Sequence, residues 1–535
     1  MNRRDFMKWL AAVGASTALG AYPQSGHAVD KPQRPNFLVI LTDQERHHLH
    51  WPQGFTKRHM PSWGRLQKNG LTFNRAYCAA TQCSPSRACI LTGHYSNLNQ
   101  VPSLAFPGGL PNKTVLPNIG SWLADKAGYE VVWKGKWHLS YPIGFKGGPP
   151  DGEVWTEADI KAMEENYGLA QWNPPEAGND VTNSLKARTT LGGGNANNDG
   201  RFVQGLNPDN PKQTKGMGQS AIEYIRQLGR TPKQKRKPFC LFVSLVNPHD
   251  IAYFPNGWDE GGYDLADFKD LGIGLPPNIK DDLSTKPGIQ KKLLEYLEGE
   301  APLASDAERL DYVNFYAHLH QVVNGPIDAL LNAMDSAGLT RDTIIIRTAD
   351  HGEMCLSHGL REKSYVAYEE AIHVPLTISN PELFPKTATT DAIYSHVDLA
   401  ATMAHLAGVP GLGVGKSQVP VLLNPDASVR QDALFAYDDY FFLPKNSPAS
   451  HIKALRDERY TYAVYYSADG SLFEYELYDN QNDPLQMNNL AFNPSPSTLD
   501  LIKILHKRLT QRIRENMAQP KGFNWPTDPL KTKTA

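Results

Sequence analysis

The sequence predicts an α/β protein in which a mostly parallel central sheet is flanked by helices, joined to a smaller C-terminal α+β subdomain with an antiparallel sheet. Short continuous apolar runs at 36–41 (N-F-L-V-I-L), 239–246 and 343–347 have the length and composition of strands buried on both faces of a parallel sheet. Stretches with apolar residues at helical spacing lie between them and supply the covering layers. Beyond about residue 418 the pattern changes to short strands at 433–436, 452–456 and 460–466. The 535 residues, 40% of them hydrophobic, suffice for one large domain and a smaller one. We place these at 34–417 and 418–517, with a Pro-, Lys- and Thr-containing tail at 518–535 expected to be loose.

The N-terminus reads as an address. Residues 1–8 are M-N-R-R-D-F-M-K, followed by a mostly apolar run at 9–22 and then Ser25, Gly26, His27 and Ala28. That is a basic segment, an apolar segment too short to span a bilayer stably, and a small-x-Ala cleavage site. Arg3 and Arg4 with Phe6 and Lys8 fit a twin-arginine export signal over 1–28, so a periplasmic or secreted location is expected. The formal net charge is -2 with both signs mixed, and the one basic cluster, 233–237, is Pro-flanked. Nothing here has the electrostatic footprint of a nucleic-acid binder. The five cysteines are Cys78, Cys83, Cys89, Cys240 and Cys355; an odd count leaves one thiol unpaired, and no C-x-x-C suggests zinc.

The run 36–41 is followed by Thr42, Asp43 and Gln44, and in open sheets ligands gather outside the carboxyl ends of strands. Residues 81–94 read T-Q-C-S-P-S-R-A-C-I-L-T-G-H. Ser84 before Pro85 is a helix-start signal, which puts Cys83 just ahead of a helix N-terminus, where free N–H groups favour negative charge. Arg87, one turn in, can reach back, and Gly93 can end the helix. A helix is expected over 116–127, stopped by Gly128, then a strand over 129–133 running into G-K-W-H-L. Alternate positions of an extended segment point the same way, which would put Lys136 and His138 on one side.

From 141 to about 218 the composition turns to Gly, Asn, Pro and Asp, including G-G-G-N-A-N-N-D-G at 192–200; a long surface excursion that shapes a cleft is expected. A helix over 221–228 and the strand 239–246 follow, the latter ending in Asn247, Pro248, His249 and Asp250. A second variable region, 251–306, precedes a helix over 308–337 and the strand 343–347. That strand leads into T-A-D-H-G-E at 348–353, then L-S-H-G-L-R-E-K with Lys363, a strand over 373–378, and a last helix over 501–517. Trp51, Phe55, Tyr253 and the run Tyr440, Phe441, Phe442 suit either an apolar platform for a substrate or the core.

The string C-S-P-S-R at 83–87 resembles the Cys-x-Pro-x-Arg signature of the sulfatase family. Asp43 after the first strand, Lys136 and His138 in G-K-W-H-L, the Pro248–His249 pair, T-A-D-H-G-E, and an L-Y-D…D-P…N-L-A ending at 477–491 follow in that family's order. The family's commoner pattern has two adjacent acids where this chain has Thr42 and Asp43. With Asp350 and His351, this resembles the branch that contains choline sulfatases and phosphonate monoester hydrolases. The segment 393–407 resembles the helix that closes the large domain, which makes His396 and His405 packing residues.

The resemblance implies an alkaline-phosphatase-like sandwich and hydrolysis of a sulfated small molecule or glycan. It implies that a maturation enzyme oxidises Cys83 to formylglycine (3-oxoalanine), whose hydrate is the nucleophile. Twin-arginine substrates are generally exported folded, so that oxidation would take place before export. A divalent cation, Ca²⁺ ahead of Mn²⁺ or Mg²⁺, would be held by Asp43, Asp350, His351 and the group at Cys83. Gln44 would be a ligand or stand behind one. Arg87 and Lys136 would hold the charged hydrate and Lys363 the sulfate oxygens; His249 would protonate the leaving oxygen and His138 would take the proton that triggers sulfate release. The competing expectations are a phosphonate monoester or phosphodiester hydrolase using the same site, and a silent binder of sulfated glycans with Cys83 unmodified.

Overall fold

Alternation along three central strands builds the large domain. We label the strands β1 (Asn36–Asp43), β2 (Gly70–Tyr77), β3 (Glu130–Gly135), β4 (Phe239–Pro248), β5 (Thr343–Ala349), β6 (Leu376–Ser379) and β7 (Ala388–Ser395). Phe37, Val39 and Leu41 of β1 join one apolar cluster with Cys240, Phe242, Ile344 and Ile346. Leu38 and Ile40 join another with Leu241, Val243, Ile345 and the helices Ala221–Arg230 and Asp306–Ser336. Successive side chains point to opposite faces, so each strand is sealed on both sides and is largely apolar; the buried Arg347 of β5 is paired with Glu45. In the computed structural model, residues 34–47, 51–104, 109–144, 156–173, 198–205, 219–269, 271–438, 447 and 449–529 are described. The expected export signal, residues 192–197 of the Gly/Asn string and Tyr440, Phe441 and Phe442 lie outside them.

The sheet order is β3-β4-β1-β5-β6-β2-β7. β1 runs parallel to β4 and β5, β3 to β4, and β2 to β7, while β6 is antiparallel to both β5 and β2. The carboxyl ends of β1, β2, β3, β4 and β5 therefore share one edge. Register brings them level, with Thr42 beside Ala349 and Asp43 beside Pro248. A second sheet, ordered β11-β10-β9-β8, comprises β8 (Asp432–Tyr437), β9 (His451–Asp457), β10 (Tyr460–Tyr466) and β11 (Phe473–Asp479), all antiparallel. Helix Pro496–Glu515 covers it through Ile502, Leu505, Leu509 and Ile513.

Several expectations are corrected. The helix after β2 begins at Cys83 itself: Gln82 is its N-cap, Pro85 is its third residue, and Ser84 Oγ donates to the His138 carbonyl instead of capping. The expected helix 116–127 starts at Ile119, because Asn118 and Ser121 form a reciprocal capping box there. The expected strand 373–378 is Leu376–Ser379, and the expected helix 393–407 is split, since 393–395 end β7 and the helix is Asp398–Leu406. The excursion after 141 contains helix Glu157–Tyr167 and a bridge from Ala170 to Val132. The second variable region contains helix Gly288–Glu300. Residues 518–529 are not loose: Phe523 and Trp525 pack on the second sheet's core, and His506 Nε2 lies 2.7 Å from the Pro526 carbonyl oxygen. Phe55 lies in an apolar cluster with Trp51 edge-on against it, so these two belong to packing, and Tyr253 is buried.

Candidate active site

Five chain segments leave the common edge of the sheet and meet in a buried cluster. β1 ends in Asp43, β2 leads through Thr81 and Gln82 to Cys83 at the start of its helix, and β5 leads to Asp350 and His351. One ligand-type atom from each of Asp43, Cys83, Asp350 and His351 lies within 4.8 Å of the others, and all four residues are buried. Cys83 Sγ is 3.5 Å from Asp43 Oδ1 and 3.3 Å from His351 Nε2, which in turn is 3.6 Å from Asp350 Oδ1.

Each carboxylate is divided between two tasks. The Oδ2 atoms face cations: Arg87 donates from Nη2 to Asp43 Oδ2 at 2.8 Å and from Nε to Asp350 Oδ2 at 3.0 Å, and Lys136 Nζ sits 2.8 Å from Asp43 Oδ2. The Oδ1 atoms face the cluster, that of Asp350 accepting backbone N–H groups from Gln44 at 3.0 Å and His351 at 2.9 Å. Arg87 completes its fork on Ser244 Oγ and the Lys136 carbonyl. Its side chain is fully buried, which a guanidinium tolerates only when its donors are filled this way.

The electrostatics follow from burial and proximity. Burial would raise the Asp43 carboxyl, but Lys136 and Arg87 hold it well below the usual range. Asp350 is pushed up to about 7 by burial and by the Asp43 charge beside it. Burial, then Asp43, pushes the Cys83 thiol up to about 12 against the pull of Lys136 and Lys363. A thiol so placed is protonated and a poor nucleophile. Burial and Lys363 depress His351, and its Nδ1 lies 3.0 Å from the Gly352 carbonyl oxygen, so Nδ1 carries the proton and Nε2 presents a lone pair to the cluster. Two carboxylates, one neutral imidazole nitrogen and the group at position 83, all converging, suit a divalent cation.

The basic ring gathers with them. Lys136 Nζ is 4.0 Å from Cys83 Sγ. Lys363 Nζ donates to Gln44 Oε1 at 2.6 Å and Glu362 Oε2 at 2.9 Å, and its charge acts on both Cys83 and Asp43. His138 and His249 are both held well below the usual imidazole range, first by burial and then by Lys136; the Nδ1 of each has no hydrogen-bond partner among the described residues. The strand-alternation argument for Lys136 and His138 is corrected: β3 ends at Gly135, whose φ is 87°, and His138 itself has φ 59°, so a sharp bend and not an extended segment brings both to the cluster. Arg87 does reach back to the cluster, where it divides its donors among Asp43, Asp350, Ser244 Oγ and the Lys136 carbonyl.

Gln44, with φ 65°, has its side chain hydrogen-bonded to Lys363 and Glu353. Sequence reading missed β2, which carries Cys83 to the edge, because G-L-T-F-N-R-A-Y mixes polar and apolar residues. It also missed Ser86, whose Oγ donates to the Asp350 carbonyl at 2.5 Å and lies 3.2 Å from His396 Nδ1. The second serine of C-S-P-S-R was the available signal. Glu362 was missed too, and nothing local marked it. All five cysteines are buried and free.

The chain is similar to known proteins over most of its length. The family model described as Sulfatase matches residues 35–409, that of N-sulphoglucosamine sulphohydrolase, C-terminal, matches 357–515, and the twin-arginine translocation signal model matches 1–20. The chain is 27% identical over 500 residues to an ulvan-active sulfatase of Formosa agariphila, covering 90% of this chain and 82% of that protein. It is 24% identical over 469 residues to a choline-sulfatase of Rhizobium meliloti, covering 86% and 83%. The crystal structure of phosphonate monoester hydrolase of Agrobacterium radiobacter superposes with TM-score 0.62 at 20% identity, covering 90% of this chain and 96% of that one. The export signal directs the chain to the periplasm or beyond; among the described residues no helix is long and apolar enough to cross a membrane.

Proposed function

The chain belongs to the sulfatase family and hydrolyses sulfate esters, and we propose that it does so in the buried cluster of Asp43, Cys83, Asp350 and His351, with Cys83 converted to formylglycine by a maturation enzyme before export. The observation that carries the proposal is the convergence of those four donor groups within 4.8 Å at the ends of separate strands. The raised thiol adds to it: position 83 sits where a nucleophile belongs, yet the unmodified side chain there is protonated.

Asp43, Asp350, His351 and the oxygen at position 83 would hold a divalent cation, which we assign as Ca²⁺ with Mn²⁺ as the competitor. Together the cation and the aldehyde hydrate supply a nucleophile ionised at neutral pH and a counter-charge for the sulfate. The protein's own groups do the rest. Arg87 fixes the two carboxylates by sharing its fork between them, so that their Oδ1 atoms stay aimed inward. Lys136 and Lys363 bring positive charge to the position where negative charge develops on non-bridging oxygens.

His138 and His249 remain neutral in the site as it stands. A bound anionic ester adds negative charge beside them and favours the imidazolium, which would let His249 carry the proton that the leaving oxygen needs. His138 stays free to take the proton that releases sulfate. Burial of the whole cluster excludes water, which strengthens each of these interactions.

The substrate class we propose is a sulfated glycan or small molecule, in line with the ulvan-active relative. The single leading acid at Asp43 and the Asp350–His351 pair support a second reading, hydrolysis of phosphonate monoesters or phosphodiesters by the same groups. One experiment tests both. The peptide carrying position 83, from protein matured in its native host, should have the mass of formylglycine, and aryl sulfate should be turned over faster than phosphonate monoester or phosphodiester. An intact thiol would leave a silent binder, and sulfate turnover slower by orders of magnitude would favour the second reading.

A further inference from the structure

Glu362 stands against the lysine assigned to the substrate's oxygens. Its Oε2 accepts from Lys363 Nζ at 2.9 Å, and both residues are 3% exposed. Two constraints fix the carboxylate there. The backbone of Glu362 is in the left-handed region, φ 69°, which a residue with a side chain adopts only under strain and which surrounding contacts must hold. Those contacts are present: the Glu362 N–H donates to Glu353 Oε1 at 2.8 Å, and the Met354 N–H donates to the Glu362 carbonyl at 2.9 Å. Gln44 closes the arrangement, accepting from Lys363 at 2.6 Å while its Nε2 lies 2.5 Å from Glu353 Oε2 and 3.5 Å from Glu362 Oε2.

A fixed buried charge acts on every charge brought near it, in proportion to the charge that arrives. A sulfate monoester carries one negative charge, and a phosphate monoester of the same tetrahedral shape carries two when fully ionised. The two ligands fill the same volume, so shape gives little discrimination between them; electrostatics can. We propose that Glu362 is a specificity-determining residue, which ties down Lys363 and through its own field restricts the anion site to singly charged tetrahedral esters at the expense of doubly charged ones. This deepens the sulfate-ester reading and rests on Lys363 facing the substrate's non-bridging oxygens.

The test uses the matured, metal-loaded enzyme and two ligands of matched shape that it cannot hydrolyse, benzylsulfonate and benzylphosphonate, titrated calorimetrically at a pH where the phosphonate is doubly ionised. In Glu362→Gln the phosphonate should gain at least about tenfold in affinity relative to the sulfonate. Glu362→Asp, which keeps the charge, should retain the wild-type ratio. If both ligands shift by the same factor in Glu362→Gln, or the sulfonate gains more, Glu362 is a structural counter-ion and the proposal fails. Should Glu362→Gln not fold, Glu362→Gly removes the same charge at a backbone position that suits glycine and carries the same test. Because neither ligand is hydrolysed, the ratio is read whether or not aryl sulfate is turned over, so loss of the sulfate-ester reading is seen separately.

Discussion

His351 Nε2 lies 3.3 Å from Cys83 Sγ while its Nδ1 is held 3.0 Å from the Gly352 carbonyl oxygen. One ring nitrogen is thereby committed to the backbone and the other is left to the cluster. Replacing His351 by Ala should lower metal affinity by about 10- to 100-fold or more, read as metal content after dialysis. Aryl sulfatase activity should fall with it. Retention of full metal content would remove His351 from the ligand set.

Arg87 is bonded to Asp43 and Asp350 at once, with all three side chains fully buried. Arg87→Met leaves the two carboxylates facing each other with only Lys136, on Asp43, beside them. It should cost about 3–5 kcal/mol of stability, measured by denaturant unfolding of metal-free protein. Added Ca²⁺ should recover part of that loss, because the ion neutralises the same charges. A variant as stable as wild type without metal would contradict the role given to Arg87.

Cys83→Ser tests why an aldehyde hydrate is needed. A single hydroxyl can accept sulfate from the substrate but has no second hydroxyl to expel it. This variant should release at most one equivalent of phenol and then stop, with intact-protein mass rising by one SO₃. Sustained turnover would show that position 83 does not pass through a covalent ester.

His249, assigned to the leaving oxygen, should matter in proportion to how badly that oxygen needs a proton. His249→Ala should slow alkyl or sugar sulfates by about 10²-fold or more and 4-nitrophenyl sulfate far less. Comparing kcat/KM across leaving groups checks this; a uniform loss would place His249 elsewhere in the reaction.

Glu369 ties the two sheets together, accepting from Arg456 of β9 at 2.5 Å and lying 3.0 Å from His373 Nδ1. Burial would raise its carboxyl, but Arg456 and His373 hold it well below the usual range. Its folded pKa is thus depressed, so the stabilisation is full above the ordinary Glu value of about 4.3 and declines as pH falls through the lower folded value. Glu369→Gln should cost about 3 kcal/mol at pH 7, and the gap to wild type should begin to narrow as pH falls below about 4.3. A gap that persists unchanged would show that charge is not the cause.

Asp43, His249 and Asp350 were legible because each follows an apolar run, and parallel strands deliver their carboxyl ends to one edge. Cys83 was legible from C-S-P-S-R. The bend at His138 was not, since a positive φ outside glycine leaves no mark in composition. β2 and β7 were passed over because each has exposed or half-exposed positions, which breaks the continuous apolar pattern of the central strands.

By itself the sequence determined the central strands β1, β4 and β5 and which chemical groups follow them, because hydrophobic patterning and the residues after it are local properties of the chain. Only the tertiary structure decided how those groups divide their bonds. Arg87 and Asp350 are 263 residues apart, and Lys363 and Gln44 are 319 apart. No local signal specifies that Arg87 bonds both carboxylates, or that Glu362 opposes Lys363. Those pairings follow from burial, which requires each charge to find a partner among whatever the fold brings within reach.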